Sequence, residues 1–509
     1  MDMRLDHISL EAEVPCGVCR SQMVVEGEVT LPGSLRETTH VLHASAMAVV
    51  EHTEAMQDRV NIGGRVVFCV LYTQGEGRQA DSIEATADFT HLCELAGVQP
   101  RAEVFAAAQV EHVDATVQNG RMSLRAIVRL CARALNCEPM EVITGIGVPG
   151  VQTKTAQMKL RRTVSRGSRD ALLREEFDLP AELAIQDTLA AWARATFEDT
   201  AGGQGRIGLS GEVTIEAIHA SAMPGKPLVM TRHTMPVSQS VEVTGEMGDL
   251  LDGRIVVKDV AVASQDMGDG ERTLRAEVLL GLTAWSDREE AAEVLTDAYT
   301  VTGDDLRLTS TPMTIRTADH RLHAAESGKA SLLLPEDAAP VRTMLAAFAT
   351  PLMTGFTQQG SRLVMEGVME ATVIYLSDDG AAPVSARMEA PFRTAFAANA
   401  APEDIITLTA ANVEAVPVTS DRVELRYILH ADIEGIQGEA ISLVTDAAAV
   451  PAAPTTSDIV LYFTQPGEGA WEIARRYRIP ESELRALNPD LQGDPKTGQG
   501  VVVWRRQVL

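Results

Sequence analysis

Aromatic side chains are scarce in this 509-residue chain, at 4% of residues. That is too few to stack bases or sugar rings along its length. Basic charge is short as well: 44 Lys and Arg stand against 71 Asp and Glu, a net charge of −27. Such a surface repels phosphate backbones and anionic lipid head groups, so neither nucleic acid nor membrane is an expected partner. No window approaches the roughly 18–20 uninterrupted apolar residues of a spanning helix. The densest stretch, 344–353, is short and contains Pro351. The N-terminus, Met1-Asp2-Met3-Arg4-Leu5-Asp6-His7, has no apolar run behind a basic start. It does not read as a signal peptide, and a cytosolic location is expected.

Chemistry-bearing motifs are missing too. There is no P-loop, dinucleotide fingerprint, HExxH or GxSxG, and no enzyme activity or cofactor is expected. Six cysteines suit a reducing compartment. Cys16 and Cys19 form a CxxC pair, and Cys131 and Cys137 a looser one. A zinc knuckle needs two such pairs at close spacing, so ordinary thiols rather than a metal site are expected. His320 and His323, beside Asp319, form an isolated HxxH that carries no metal prediction.

What the sequence does hold is a threefold repeat. Three gapless stretches align, Asp58–Tyr72, Gly205–His219 and Ser361–Tyr375. Each has Arg at its second position (Arg59, Arg206, Arg362), Gly five residues later (Gly64, Gly211, Gly367), and Tyr72, His219 or Tyr375 at its end. A Leu-Pro pair lies upstream in every copy (Leu31-Pro32, Leu179-Pro180, Leu334-Pro335), and a Leu-Arg pair downstream (Leu124-Arg125, Leu274-Arg275, Leu425-Arg426). After the Gly, apolar residues alternate as Val66, Phe68, Val70, then Val213, Ile215, Ala217, then Met369, Ala371, Val373. A period of two means half-buried strands.

The expectation is a mainly β chain of three tandem sandwich or barrel-like repeats, over 1–150, 151–305 and 306–450. Turns are expected at Gly75-Glu76-Gly77, Asp269-Gly270 and Asp379-Gly380. The Ala-rich segment Arg36–Met56 is compatible with either helix or strand, and Pro351 in the third copy favours strand. The Gly is expected at a bulge or close approach, and the Tyr/His position is read as structural.

Residues 451–457 have a linker composition. The last segment, 458–509, is charge-balanced, with seven Lys and Arg against seven Asp and Glu. It reads as strand (Ile459–Thr464), helix (to Tyr477), helix from Pro480, and strand (Val501–Trp504). Tyr462, Pro466-Gly467, Trp471, Ile473-Ala474, Tyr477, Leu484, Leu487-Asn488-Pro489 and Gly498 make this segment resemble a LysM domain, with βααβ order. Sugar-binding LysM domains carry Gly-Asp-Thr-Leu in the loop after the first strand. Here that candidate glycan loop is Gly467-Glu468-Gly469-Ala470, and Trp471 falls in the helical apolar pattern of a core residue.

Three β-rich repeats ahead of a LysM segment resemble the SipL-type SPOCS-domain proteins of endospore-forming bacteria. The resemblance implies a mother-cell protein that helps encase the forespore in coat. It also implies a LysM domain that grips a protein, the coat-basement ATPase called stage IV sporulation protein A, with other coat proteins as further partners. Arg475, Arg476, Arg478 and Trp504 are the residues expected to hold it, since hot spots favour Trp, Tyr and Arg. The alternative for the arginines is a solvated helix face. The alternative function is binding of peptidoglycan or chitin N-acetylglucosamine as a cell-wall or cortex protein, which would need export.

Overall fold

The computed structural model describes residues 4–30, 39–74, 79–118, 120–203, 205–268, 271–378, 382–452, 458–491 and 493–505. The first six strands are β1 (Leu5–Thr30), β2 (His40–Met56), β3 (Arg59–Gln74), β4 (Gln79–Glu94), β5 (Glu103–Gln118) and β6 (Arg121–Ile146). They make two three-stranded antiparallel sheets, in the orders β1-β6-β5 and β2-β3-β4.

The same layout follows twice more. The second unit has β7 (Val151–Leu179), β8 (Ile185–Gly203), β9 (Arg206–Ser221), β10 (Leu228–Glu242), β11 (Leu250–Gly268) and β12 (Glu271–Thr300). The third has β13 (Asp305–Leu333), β14 (Thr343–Gln359), β15 (Arg362–Leu376), β16 (Pro383–Phe396), β17 (Ile405–Pro417) and β18 (Arg422–Val450). Their sheets run β7-β12-β11 with β8-β9-β10, and β13-β18-β17 with β14-β15-β16. The Ala-rich segment is strand from His40 onward. Pro351 sits on β14, which pairs on one side only, the place in a sheet where a Pro is tolerated. The three expected turns and the Leu31-Pro32 pair lie outside the described residues.

Alternation explains each unit. Phe68, Val70 and Tyr72 on β3 meet Leu124, Ala126 and Val128 on β6 in one core between the two sheets. The equivalent residues of the other units do the same. The repeated Gly has a concrete cause. It faces a β-bulge on the neighbouring strand, between Val50 and His52, Phe197 and Asp199, or Met353 and Gly355. A Cβ there would lie 2.1, 2.1 or 2.0 Å from the carbonyl oxygen of Val49, Thr196 or Leu352. No other residue fits without a backbone shift. Tyr72, His219 and Tyr375 are all buried, and each finds a polar partner: Asp81, the pair Thr188 and Thr231, and the Ala339 carbonyl.

The first and last strands of each unit outrun the others. Their ends form two-stranded arms, and the three arms pack together through Met140, Met158, Leu160, Val294, Ile315 and Leu443. The units therefore meet around a common axis. At one level of that axis Ser45, Trp192 and Phe348 converge. These face Cys69, Glu216 and Thr372, each three residues before the repeated Tyr or His. Trp192 Nε1 donates to Ser45 Oγ (2.9 Å), and the Trp192 and Phe348 rings stand 5.0 Å apart. His43 stacks on Phe348 at 3.9 Å. Burial, with help from Arg387, pushes its imidazole down to about 3, so it is neutral there.

At a second level the equivalent residues are Glu13, Thr163 and Arg316, which face Cys137, Asp287 and Gly438. Arg316 is 2% exposed and donates to Glu13, Asp287, Asp319 and Thr163 Oγ1. Three carboxylates share this one cation. Burial opposes the guanidinium charge, but its bonds to Asp319 and the nearby Asp287 and Glu13 carboxylates hold its pKa up. Burial pushes the Asp287 carboxyl up to about 6 despite Arg316.

Candidate functional site

The last strand, helix, helix, strand segment comprises β19 (Asp458–Phe463), α1 (Ala470–Tyr477), α2 (Glu481–Leu487) and β20 (Gly500–Arg505). Trp471, Ile473, Ala474 and Leu484 on the helices pack against Val501 and Val503. Two residues of that same core, Tyr299 and Val301, come from the tip of the second arm. The module is docked on the arm.

Its docking contacts absorb much of what the sequence offered as a binding surface. Arg475 Nη1 bonds Asp297 Oδ2 (2.9 Å), and Trp471 Nε1 donates to the same carboxylate (2.7 Å). Arg478 donates to the Thr300 carbonyl (3.0 Å), to Thr300 Oγ1 (2.7 Å) and to the carbonyls of Gly303 and Asp304. Tyr299 Oη donates to the Ile479 carbonyl (2.8 Å), and its ring stands edge-on to Trp471. Arg476 lies on the other side, against the Tyr462 ring and paired with Glu468 (2.5 Å). Of the four expected residues, Arg475 and Arg478 hold the chain to itself, while Arg476 and Trp504 face outward. Asp297, Tyr299 and Thr300 carried no mark in the sequence, because what recruits them is spatial proximity across more than 170 residues.

The loop Gly467–Ala470 is closed by Glu468 and by two neighbouring acids, Glu472 and Asp494. Glu468 accepts from Tyr462 Oη (2.6 Å) and the Gln465 N–H (2.9 Å), which with Arg476 hold its carboxyl below the usual range. The Gly469 N–H donates to Glu472 Oε2 (2.9 Å), and the Ala470 N–H to Asp494 Oδ1 (3.0 Å). Two backbone donors that a ligand in this loop would meet are therefore already satisfied.

The outer face of the β19–β20 pair is a different matter. Ile459 lies opposite Trp504 and Leu461 opposite Val502, so all four project from one side, with Phe463 beside them. Ile459, Leu461, Phe463 and Trp504 are 79, 58, 57 and 48% exposed. The sequence pattern placed Val501–Trp504 in a strand without distinguishing its two faces. The alternate residues Val501 and Val503 fill the core, which leaves this apolar set in water.

The remaining candidates have structural places. The Cys16–Cys19 pair straddles a bulge on β1, with Gly17 at φ +96° and Cys19 in the first unit's core near Cys93. All six cysteines are free thiols. His320 and His323 are held apart, His320 by Asp404 (2.8 Å) and His323 by Asp432 (2.6 Å). Among the described residues no group of three or more His, Cys, Asp or Glu is placed to hold a metal ion. No helix among them is long and apolar enough to cross a membrane.

The fold defines a mainly β protein in which one six-strand layout occurs three times ahead of a small α/β module. Within it, residues 38–118 match the family model of the SipL, SPOCS domain, which here spans β2 to β5. The chain is SipL-like in this stretch, and the match points to a sporulation-related function. No curated protein and no solved structure matches.

Proposed function

We propose that the chain is a non-enzymatic scaffold of spore-coat assembly, acting in the mother cell at the forespore surface. In this reading all three units are SPOCS domains, and the C-terminal module is a LysM domain that grips a coat-basement ATPase. The observation that carries it is the apolar outer face of β19 and β20. A contiguous exposed set of Ile, Leu, Phe, Val and Trp on a sheet is a protein-docking feature. Trp504 sits in it, with Arg476 outward on the same module. The occupied Gly469 and Ala470 donors weigh against a sugar in the neighbouring loop. Several weakly binding units on one chain suit a scaffold, because linkage raises the effective concentration of each contact.

The test uses the full-length protein against two ligands in one titration series, the coat-basement ATPase and chito-oligosaccharides. Trp504→Glu and Leu461→Glu are expected to weaken ATPase binding at least tenfold while circular dichroism stays unchanged. Undiminished ATPase binding by both variants refutes the docking face. Sugar binding without ATPase binding refutes the scaffold.

A further inference from the structure

In the first unit two cysteines face each other across a seam between the sheets. β1 is an edge strand of one sheet and β4 of the other, and the two strands lie side by side. Ser21 Oγ is 2.7 Å from His91 Nε2, and a Cβ on Gly17 would lie 3.9 Å from Leu95 Cδ1. Cys16 Sγ stands 3.7 Å from the Gly97 carbonyl oxygen. The strands therefore pass in opposite directions. Cys19 is midway between Gly17 and Ser21, and Cys93 is midway between Leu95 and His91. The seam sets these two thiols opposite one another, and both belong to the first unit's core.

The other units have no cysteine at these places. Cys19 pairs with Ala132 on β6, and its equivalents are Arg169 opposite Leu282 and Leu322 opposite Ile433. Cys93 pairs with Val60 on β3, and its equivalents are Val241 opposite Ile207 and Phe396 opposite Leu363. Leu322 and Phe396 pack in the third core, and Arg169 bonds the Ser240 carbonyl (2.5 Å). A seam position thus accepts ordinary packing or a polar contact, and nothing in the layout requires a thiol. With only six cysteines in 509 residues, two of them on facing positions of one seam stand out from scattered small hydrophobes. Cys131 lies between the core residues Leu130 and Ala132 on β6, so its side chain points to the opposite face.

The two thiols differ in readiness to react. The Cys93 S–H donates to the Cys19 sulfur, which draws the Cys19 thiol down to about 7 and pushes Cys93 up. Cys19 is therefore partly ionised near neutral pH, and the thiolate is the nucleophile. The Arg20 guanidinium, next in the chain, favours the same ionised form. Cys19 is also the more exposed of the two, 9% against 3%, at the edge of its sheet. That opening suits a small oxidant rather than a bulky one.

We propose that Cys19 and Cys93 form a redox-sensitive staple, which a small peroxide closes into a disulfide across the seam. The Cys19 thiolate attacks a peroxide oxygen, the O–O bond breaks, and a sulfenic acid and hydroxide result. The Cys93 proton passes to that hydroxide and makes water. The Cys93 sulfur then attacks the Cys19 sulfur, the S–S bond forms, and the S–O bond breaks with loss of a second hydroxide that takes a proton from solvent. Two thiols and one peroxide thus give one disulfide and two waters, each sulfur losing one electron and the peroxide gaining both. A reducing compartment keeps the staple open. Closure joins β1 to β4, which lies in the stretch matched by the family model, and it restricts the unfolded chain, so the closed form is the more stable one. The staple is independent of the docking face on the C-terminal module.

The experiment treats the full-length protein with hydrogen peroxide, caps the remaining thiols with N-ethylmaleimide in urea, and maps linked peptides without reduction. Melting temperatures are read before oxidation, after it, and after dithiothreitol. The expected result is a Cys19–Cys93 link within one chain and a melting temperature raised by several degrees, both reversed by dithiothreitol. Cys16→Ala should keep the link and the shift, and Cys93→Ala should lose both. A Cys16–Cys19 link in its place overturns the proposal, and so do Cys19 and Cys93 found capped or over-oxidised instead of linked. A link that leaves the melting temperature unchanged, or a shift that Cys93→Ala retains, overturns it as well. If Cys93→Ala fails to fold, the wild-type map and Cys16→Ala decide alone, and loss of the link in Cys16→Ala refutes the staple.

Discussion

The insides of the three units are nearly interchangeable, whereas the residues by which they meet are not. Leu124, Leu274 and Leu425 hold one core position and Val128, Val278 and Leu429 another, all buried and all apolar. On the axis the equivalent sets are Glu13, Thr163 and Arg316, then Ser45, Trp192 and Phe348. Each set mixes a cation with an acid, or a large ring with a small hydroxyl. A core needs only shape and apolarity, which a repeat keeps by alternation. An axis shared by three copies would bring like against like if the copies were identical. Diversified residues turn that clash into complementarity, and they fix which unit stands where. Burying polar groups in this way serves specificity rather than stability.

The harshest way to break the comparison is Arg316→Met. It leaves the buried Glu13 and Asp287 and the half-buried Asp319 around no cation, and the expected loss is about 3–5 kcal/mol in urea unfolding. Arg121→Met, which removes an exposed pair with Glu28 (3.0 Å) on a strand of the first unit, should cost under about 1 kcal/mol. Equal losses in the two variants would mean that the ionic knot does not set the order of units.

Within a unit the sharpest contrast lies on β9. Gly211→Ala puts a Cβ 2.1 Å from the Thr196 carbonyl oxygen, so the bulge must move, at a cost of about 3 kcal/mol. Gly208→Ala, three residues earlier, meets nothing nearer than 3.4 Å and should change the unfolding midpoint little. If the two variants match, the repeated Gly is not there for the close approach.

The repeat, the strand alternation and the order of elements in the C-terminal segment could all be read from the sequence, because each is written in local periodicity. The Gly at a bulge was also legible, since only a backbone constraint accounts for Gly at one fixed offset in three copies. What could not be read is what happens between units. Nothing near Arg316 in the chain announces Glu13 or Asp287. The basic cluster at Arg475, Arg476 and Arg478 looked like one surface, yet the arm takes two of its three members. The start of β19 showed a strand but not its exposed apolar side, because that side is defined by what the other one packs on. Long-range partners leave no spacing signature in a single sequence.

A gentler probe of the axis uses pH. Asp287 is buried, and its carboxyl is raised from 3.8 to about 6 in the fold. Its stabilising term is fully present below about pH 4 and is lost as pH rises through 6, since the folded state holds a proton that the unfolded chain releases. The size is on the order of 3 kcal/mol. Asp287→Asn should remove this dependence, seen as a flatter unfolding free energy between about pH 4 and about pH 6. An unchanged slope would place the titration elsewhere among the groups of the knot.

The smallest expected effect concerns His219, a core position that breaks the repeat. Its imidazole lies 3.0 Å from Thr188 Oγ1 and 2.7 Å from Thr231 Oγ1, where the first and third units have Tyr72 and Tyr375. Burial, together with His233, pushes its pKa down to about 4, so it is neutral in the fold. The equivalents of Thr231 are Ile83 and Ala386, which offer no hydroxyl. The histidine and its two threonines are thus one exchange, not a lone substitution. His219→Tyr should restore the repeat in name only, leaving buried hydroxyls unmatched at a cost of about 1–2 kcal/mol near neutral pH. Adding Thr231→Ala should recover part of that loss. Because a depressed imidazole loses its stabilising term as pH falls from about 6.5 toward 4, the gap between wild type and His219→Tyr should narrow on acidification. A gap that stays constant would mean that packing around the ring, rather than the two hydrogen bonds to a neutral imidazole, distinguishes the second unit from its neighbours.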